Sequence, residues 1–484
     1  MNYKKIGQII SLILAVEAVF MIPAWLISLY YHEHNAAFSI IKSIVIIVIA
    51  AGCLYAVTRN AKKGFYAKEG LVTTGVAWLV MSMLGCLPFY ISREIPLYVD
   101  ALFEMVSGFT TTGSSILTNV EAMDKGLLYW RSFSHWLGGM GVLVFLLAIV
   151  PLSGKNEGFT IHILRAESPG PSVGKLGPRM KQTAVILYVI YVVLTVLDFL
   201  FLVIGGMPVF DAVCTAVGTA GTGGFGVKND SMASYSPYLQ NVTTVFMLLF
   251  GVNFSCYYLL LMKRVKDVLR DEELHLYVGI VFTSIVLITL NLRGFFPTVA
   301  ETVRHAAFQV ATVISTSGFA TADFDKWPAL SKAILLILML SGACAGSTGG
   351  GIKVARIMLL FKSLRRNFHE NLRSSEVRKV RVNGVVMDEK VMRNVNGYLI
   401  AYVFIIIFSF LIVSMDGFSI ETNLSAVIAT FNNIGPGFDG VGATCNFSAY
   451  SPLSKLVMIF DMLAGRLEIY PILILFSRSA WKKI

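Results

Sequence analysis

Residues Val99 to Ser114 read VDALFEMVSGFTTTGS, a short apolar segment opening near Asp100 and closing in the strip Thr110-Thr111-Thr112-Gly113-Ser114. About a dozen helical residues at ~1.5 Å rise reach roughly 18 Å, well short of a hydrocarbon core ~30 Å thick. Longer apolar runs flank the segment, Gly70 to Ser92 before it and Leu127 to Val150 after it. A short helix between two long ones reads as a re-entrant element, allowed at membrane depth only where protein or a wet cavity covers it.

The plan recurs three times. Repeat two runs from about Thr183 to Ile204, Val209 to Thr219 and Leu239 to Met262. Repeat three takes His275 to Leu292, Thr302 to Ser315 and an interrupted run from Ala329 to Phe361; repeat four takes Val395 to Met415, Glu421 to Asn432 and Leu453 to Trp481. A hairpin of two apolar runs, Ile6 to about Tyr30 and Phe38 to Val57, precedes them, too long together for a cleaved signal peptide. The reading is an all-α polytopic membrane protein. An N-terminal transmembrane hairpin (1–60) is followed by pore repeats at 61–154, 155–264, 265–366 and 367–484 around one pseudo-fourfold pore. About ten spans result, with both termini on the same side.

Composition agrees. Of 484 residues 56% are hydrophobic and 14% charged, and mean hydropathy is +0.70, more apolar surface than a soluble domain tolerates. The net charge of +11 would suit nucleic acid if it formed one patch, but it is distributed between helices. Lys and Arg concentrate at Arg59 to Lys68, Lys155 to Lys181, Lys263 to Arg270 and Lys362 to Arg393, and none occurs from Asp416 to Pro452. That alternation places the basic segments in the cytoplasm. The six cysteines have no zinc-like or disulfide spacing and read as small packing residues.

The chemistry lies in the strips after the short helices. They align on one glycine each: Thr110-Thr111-Thr112-Gly113, Ala220-Gly221-Thr222-Gly223, Ser315-Thr316-Ser317-Gly318 and Asn432-Asn433-Ile434-Gly435. Glycine admits dihedrals that let successive carbonyls point one way, and four such strips can replace a cation's hydration shell with backbone oxygens. Potassium sheds its water more cheaply than sodium, which favours it. The short helices would aim their partly negative C-terminal ends at the cavity below. Asp100, Asp211, Glu301 and Glu421 stand near their N-termini, where an acid caps free N–H groups or draws cations to the outer mouth.

Two further features read as control. Gly342 to Gly351 contains five glycines in ten residues and cannot hold a helix, yet apolar runs lie on both sides. A loop there, with Gly346, Ser347, Thr348, Gly349, Gly350 and Gly351, is a candidate gate beneath the filter. Arg466, an ionisable residue inside a span, is either an electrostatic barrier or half of a structural ion pair, with Glu468, Asp461 or loop carbonyls as partners. His32-Glu33-His34 lacks zinc-helix spacing and reads as a solvated loop; Gly138-Gly139-Met140-Gly141 reads as close helix packing. No nucleophile–base or metal-ligand pattern points to an enzyme.

These strips, with Trp136 to Gly141, the Gly342 to Gly351 break and Gly465-Arg466, resemble the Trk/Ktr potassium transporter family, its TrkH-type membrane subunit in particular. The resemblance implies potassium uptake through a gated, cation-selective pore driven by membrane potential, with a sodium- or proton-coupled symporter as the alternative. It implies a homodimer in the cytoplasmic (inner) membrane with a cytosolic, nucleotide-binding, TrkA-like regulatory subunit. Potassium at the filter would be the bound ion, with no covalent cofactor and nucleotide only on the regulator. Lys155 to Lys181 and Lys362 to Arg393 are candidate docking segments for it, or contacts for anionic lipid.

Overall fold

The computed structural model of the chain describes residues 1–60, 66–139, 141, 180–373 and 378–481. Residues 142–150 of the second helix of repeat one and 155–179 of the first docking segment lie outside these, as do Lys62, Lys63, Lys482 and Lys483.

Helices α1 (Tyr3–Tyr30) and α2 (His34–Thr58) form the hairpin. Repeat one holds α3 (Ala67–Gly85), α4 (Leu87–Ser92), the short α5 (Tyr98–Phe109) and α6 (Lys125–Gly139). Repeat two holds α7 (Met180–Ile204), the short α8 (Val209–Gly221), α9 (Pro237–Phe250), α10 (Phe254–Leu261) and α11 (Val265–Val268). Repeat three holds α12 (Glu272–Asn291), the short α13 (Val299–Ile314), α14 (Ala329–Ser341) and α15 (Val354–Leu372). After a two-residue hairpin, β1 (Arg381–Val382) with β2 (Val385–Val386), repeat four holds α16 (Glu389–Val413), the short α17 (Ile420–Phe431), α18 (Pro452–Arg466), α19 (Tyr470–Leu473) and α20 (Arg478–Trp481).

Six stretches among the described residues are long and apolar enough to cross a membrane: Tyr3–Tyr30, His34–Thr58, Lys68–Ser92, Ala184–Ile204, Glu272–Asn291 and Glu389–Asp416. A seventh forms if α9 and α10 count as one span, bent by 86°. The sequence reading of continuous second helices, Leu239 to Met262 and Leu453 to Trp481, therefore needs correcting. In repeat two the Asn253 side chain accepts from the Ser255 N–H at 2.9 Å and starts a new helix. In repeat four Glu468 and Ile469 both take positive φ, +59° and +68°, which no α-helix contains.

Each short helix enters and returns on one face. Glu94, ahead of α5, accepts from the Asp124 N–H ahead of α6 at 3.3 Å. The Tyr235 hydroxyl, ahead of α9, donates to Asp211 at the start of α8, 2.7 Å. Asn291 at the end of α12 bonds Ser331 at the start of α14, and Asp416 at the end of α16 accepts from the Ser451 N–H ahead of α18, 2.9 and 2.8 Å. Glu33 is more than a solvated loop residue: its carboxylate caps α6 by accepting from Lys125 and Gly126 at 2.7 and 3.0 Å.

Packing closes a cycle. The second helix of each repeat packs on the short helix of the next: α6 on α8, α9 on α13, α14 on α17, and α18 back on α5. Outside, α7, α12 and α16 turn Phe201, Phe282, Phe404 and Phe408 outward, as a lipid-facing surface requires. Two glycines permit the close approach at the centre. A Cβ on Gly138 would stand 1.8 Å from the Phe109 carbonyl, and one on Gly465 1.8 Å from the Phe431 carbonyl.

Gly138→Ala and Gly465→Ala are each expected to lower the thermal unfolding midpoint, by overpacking of about 1–3 kcal/mol. Gly52→Ala and Gly279→Ala, where a Cβ meets nothing within 4 Å, leave it in place. Equal midpoints for all four would remove the packing argument.

Candidate functional site

Each short helix ends in the same hydrogen-bonded cap. The N–H groups of Thr111 and Thr112 donate to the carbonyls of Gly108 and Ser107, at 3.1 and 2.8 Å. Thr222 and Gly223 do the same to Thr219 and Gly218 (3.0 and 2.9 Å), and Thr316 and Ser317 to Val313 and Thr312 (3.1 and 2.8 Å). Asn433 and Ile434 complete the set on Thr430 and Ala429, 3.3 and 3.0 Å. This is the Schellman cap, whose turning residue adopts left-handed dihedrals. Here that residue is Thr111, Thr222, Thr316 or Asn433, at φ +56°, +55°, +60° and +55°. The glycine with positive φ stands two residues later: Gly113, Gly224, Gly318 and Gly435, at +85°, +73°, +86° and +99°.

The caps shift one strip. In repeat two the counterpart of Gly113 is Gly224, not Gly223, and the strip is Gly221-Thr222-Gly223-Gly224. Ala220 lies two residues before the left-handed Thr222, one position too early for the strip. A run holding three glycines offered the sequence alignment two equivalent choices, and only the cap bonds distinguish them.

The strips meet. A Cβ on Gly113 would lie 2.1 Å from the Gly223 carbonyl oxygen, one on Gly224 1.9 Å from that of Ser317, and one on Gly318 2.3 Å from that of Ile434. One on Gly435 would come within 2.9 Å of the Thr112 oxygen. Each strip thus abuts the next in chain order, and the fourth returns to the first. Two side-chain bonds seal that last joint: Ser114 Oγ donates to the Gly435 carbonyl and Asn433 Nδ2 to Thr112 Oγ1, both at 2.9 Å. All four glycines line one cavity of about 190 Å³, which opens on the face of the loops that follow the strips.

Buried charge braces the ring from behind. Glu104 of α5 is paired with Arg131 of α6 at 2.6 Å and also accepts from Ser115 Oγ and the Ile116 N–H, both at 2.9 Å. Arg131 continues to the Gly226 carbonyl at 3.2 Å and lies 3.5 Å over the Phe225 ring. His135 accepts the Phe225 N–H at Nε2 (3.3 Å), so its Nδ1 carries the proton donated to the Gly108 carbonyl at 2.8 Å. Neither brace was singled out from sequence. An acid inside the short apolar helix, Glu104, was the available signal.

The glycine break lies directly under the ring. A Cβ on Gly349 would come within 2.8 Å of the Ser315 carbonyl, and one on Gly350 within 2.2 Å of that of Asn432. The Gly350 N–H donates to Thr316 Oγ1 at 2.6 Å. Two basic side chains, buried Lys353 and half-buried Arg466, hold the loop from below. Arg466 donates to the carbonyls of Thr348 and Gly139, at 2.6 and 2.7 Å, and to that of Gly138. Lys353 Nζ donates to the Gly349 carbonyl. Of the partners considered for Arg466, the loop carbonyls are the ones it meets; Glu468 pairs with Arg356, and Asp461 accepts from Ser409 at 2.7 Å. Lys353 was missed, although a lysine two residues beyond a glycine run between apolar segments marks it.

Of the acids near the short-helix starts, Asp100 binds Lys455 at 2.7 Å and Glu421 binds Lys332 at 2.8 Å across helices, whereas Glu301 faces Arg304 of its own helix at 3.9 Å. In the loop after the fourth strip, hydroxyls of Ser419 and Thr422 donate to Asp439, both at 2.6 Å, and hold its carboxyl below the usual range. It stays negative on the face where the cavity opens.

The family model for TrkH, described as a cation transport protein, matches residues 36–483. The chain belongs to the TrkH family. Curated relatives of this TrkH-family chain include the Trk system potassium uptake protein TrkH of Salmonella typhimurium, 33% identical over 489 residues with 100% of both chains covered. TrkG of Escherichia coli K12 is 31% identical, covering 96% of this chain and 95% of its own. Among solved structures, the potassium transporter TrkH from Vibrio parahaemolyticus superposes with a TM-score of 0.89 at 29% identity, covering 100% of each chain.

Arg131→Met strands Glu104 as a buried unpaired charge, and is expected to cost about 3–5 kcal/mol, read as a lower thermal midpoint in detergent. Adding Glu104→Gln should recover most of that loss. A double variant as unstable as the single one would show that the pair does not brace the ring.

Proposed function

We infer that this chain is the membrane subunit of a Trk-type potassium uptake system. One observation carries the reading: four strips, far apart in sequence, share one backbone conformation and abut one another in a closed cycle. Family membership supplies the ion and the class of activity, which is transport and not catalysis. Dehydrated potassium would be held by the carbonyls of Thr110 to Gly113, Gly221 to Gly224, Ser315 to Gly318 and Asn432 to Gly435. Their side chains differ while their dihedrals agree, as expected when backbone oxygens do the coordinating.

Gly346 to Gly351, with Arg466 and Lys353, act as the gate. The cations set an electrostatic barrier beneath the filter, and the loop yields when its bonds to Thr316, Lys353 and Arg466 break. Membrane potential drives the ion. A coupled symporter fits less well: Asp461 is tied to Ser409 and Glu468 to Arg356, and among the described residues no carboxylate pair stands on the ring.

The homodimer, the location in the inner membrane with both termini cytoplasmic, and the TrkA-like regulator complete the proposal. Exposed Arg365, Arg373 and Lys379 are available to a cytosolic partner, whereas Lys362 and Arg366 are engaged by Glu272 and Glu389 within the chain.

Rubidium uptake by the purified chain in vesicles tests both assignments. Gly318→Ser, which adds a side chain at φ +86° and against the Ile434 carbonyl, should weaken discrimination of potassium over sodium. Removing Gly346 to Gly351 should raise flux severalfold. Unaltered selectivity in the first undoes the filter assignment, and unaltered or lower flux in the second undoes the gate.

A further inference from the structure

The second helix of repeat two turns by 86° between Phe250 and Phe254, and this elbow is bonded to the gate loop. Thr348 donates to the Phe250 carbonyl through its N–H (3.4 Å) and its hydroxyl (3.2 Å), and the Cys344 N–H to the Gly251 carbonyl at 3.1 Å. The Phe254 N–H donates in return to the Gly346 carbonyl at 3.0 Å. Whatever fixes the elbow therefore fixes the loop under the ring.

Beyond the elbow, α10 runs nearly at right angles to α9, so if α9 crosses the bilayer, α10 lies along its surface. Phe254 and Cys256 are buried against the protein. Leu260, Leu261, Met262, Val265 and Leu269 are exposed, and exposed Lys263, Arg264, Lys266 and Arg270 alternate with them. The acids nearby are engaged elsewhere. Asp267 pairs with Arg264 at 2.6 Å, Asp271 caps α12, Glu272 pairs with Lys362, and Glu273 accepts from the Ala345 N–H of the gate loop at 2.6 Å. Lys263, Lys266 and Arg270 have no ion-pair partner among the described residues.

We propose that the segment from Leu260 to Arg270 binds the anionic headgroups of the adjacent lipid leaflet, and that this binding stabilises the gate loop in its place beneath the ring. Interleaved apolar and basic side chains on a surface-lying element suit the interface, where the first enter the acyl boundary and the second meet phosphate. A second copy of the chain fits poorly, because a twofold contact would set the same three unpaired cations against one another. A ligand shifts an equilibrium only by its differential affinity. The bonds from Phe250, Gly251 and Phe254 supply that difference, since an anchored elbow favours the loop as seen. The proposal rests on the reading of this chain as a gated potassium pathway.

The test places the full chain in phosphatidylcholine vesicles with and without added phosphatidylglycerol. Rubidium uptake and hydrogen exchange at the amides of Cys344, Thr348 and Phe254 are measured in both. Phosphatidylglycerol should lower uptake about fivefold, the worth of one basic side chain at an anionic surface (~1 kcal/mol), and slow exchange at those amides. K263Q/K266Q/R270Q should take up rubidium equally in both vesicles, and K263R/K266R should behave like the intact chain. Uptake by the intact chain that ignores phosphatidylglycerol overturns the proposal, as does a triple variant that still responds. Protection that follows the protein-to-lipid ratio instead of lipid charge would point to a second copy and also overturn it. Exchange slowed by phosphatidylglycerol with no uptake in either vesicle would defeat the pathway reading and leave the lipid coupling standing.

Discussion

A chain that enters the bilayer part-way must satisfy its backbone without water, and the four Schellman caps are how this protein does so. Each cap closes the helix-end carbonyls three positions and four positions before the turning residue with N–H groups of the strip. The N–H groups of the turning residue and of the residue after it are thereby engaged, and of the strip carbonyls Gly435 accepts from Ser114 and Gly221 from Thr222. A left-handed residue reverses the chain, and a glycine two residues on lets the next strip approach. Asparagine tolerates left-handed dihedrals, whereas β-branched threonine at Thr111, Thr222 and Thr316 takes them at a steric cost that the surrounding packing and cap bonds must hold in place. The ring is therefore a consequence of capping geometry repeated four times.

Fourfold likeness stops at the backbone. Between repeats one and two the supports are the Glu104–Arg131 pair and neutral His135, each reaching from one repeat to the strip of the next. Under the fourth strip the support is amide and hydroxyl: Asn432 with Tyr402 at 3.0 Å, and Asn433 with the Met462 carbonyl at 2.9 Å. A buried ion pair costs desolvation and gains only when its remaining lone pairs are filled, as the bonds from Ser115 and Ile116 do here. The result is one shape held by unlike chemistry.

Below the ring the same logic inverts. The glycine loop presents carbonyls without side chains, and Arg466 and Lys353 gather them. A substituted loop could not lie so near the carbonyls of Ser315 and Asn432. Basic side chains from two repeats thus meet the loop from below the ring. The elbow at Phe250–Phe254 is bonded to this loop, which makes the second repeat a mechanical neighbour of the third.

Apolar run lengths and their fourfold recurrence were sufficient to read an all-α membrane fold, the short helices and the strip that follows each. They sufficed because bilayer thickness acts on sequence directly, through the number of apolar residues a span needs. Arg466 and the glycine break were legible for a similar reason: a charge or a glycine run inside an apolar stretch contradicts its surroundings. The one-residue shift at Gly224, the breaks after Phe250 and Arg466, and the pairing of Glu104 with Arg131 were settled only in three dimensions. Each depends on which donor meets which acceptor across helices distant in the chain, and hydropathy carries no record of that.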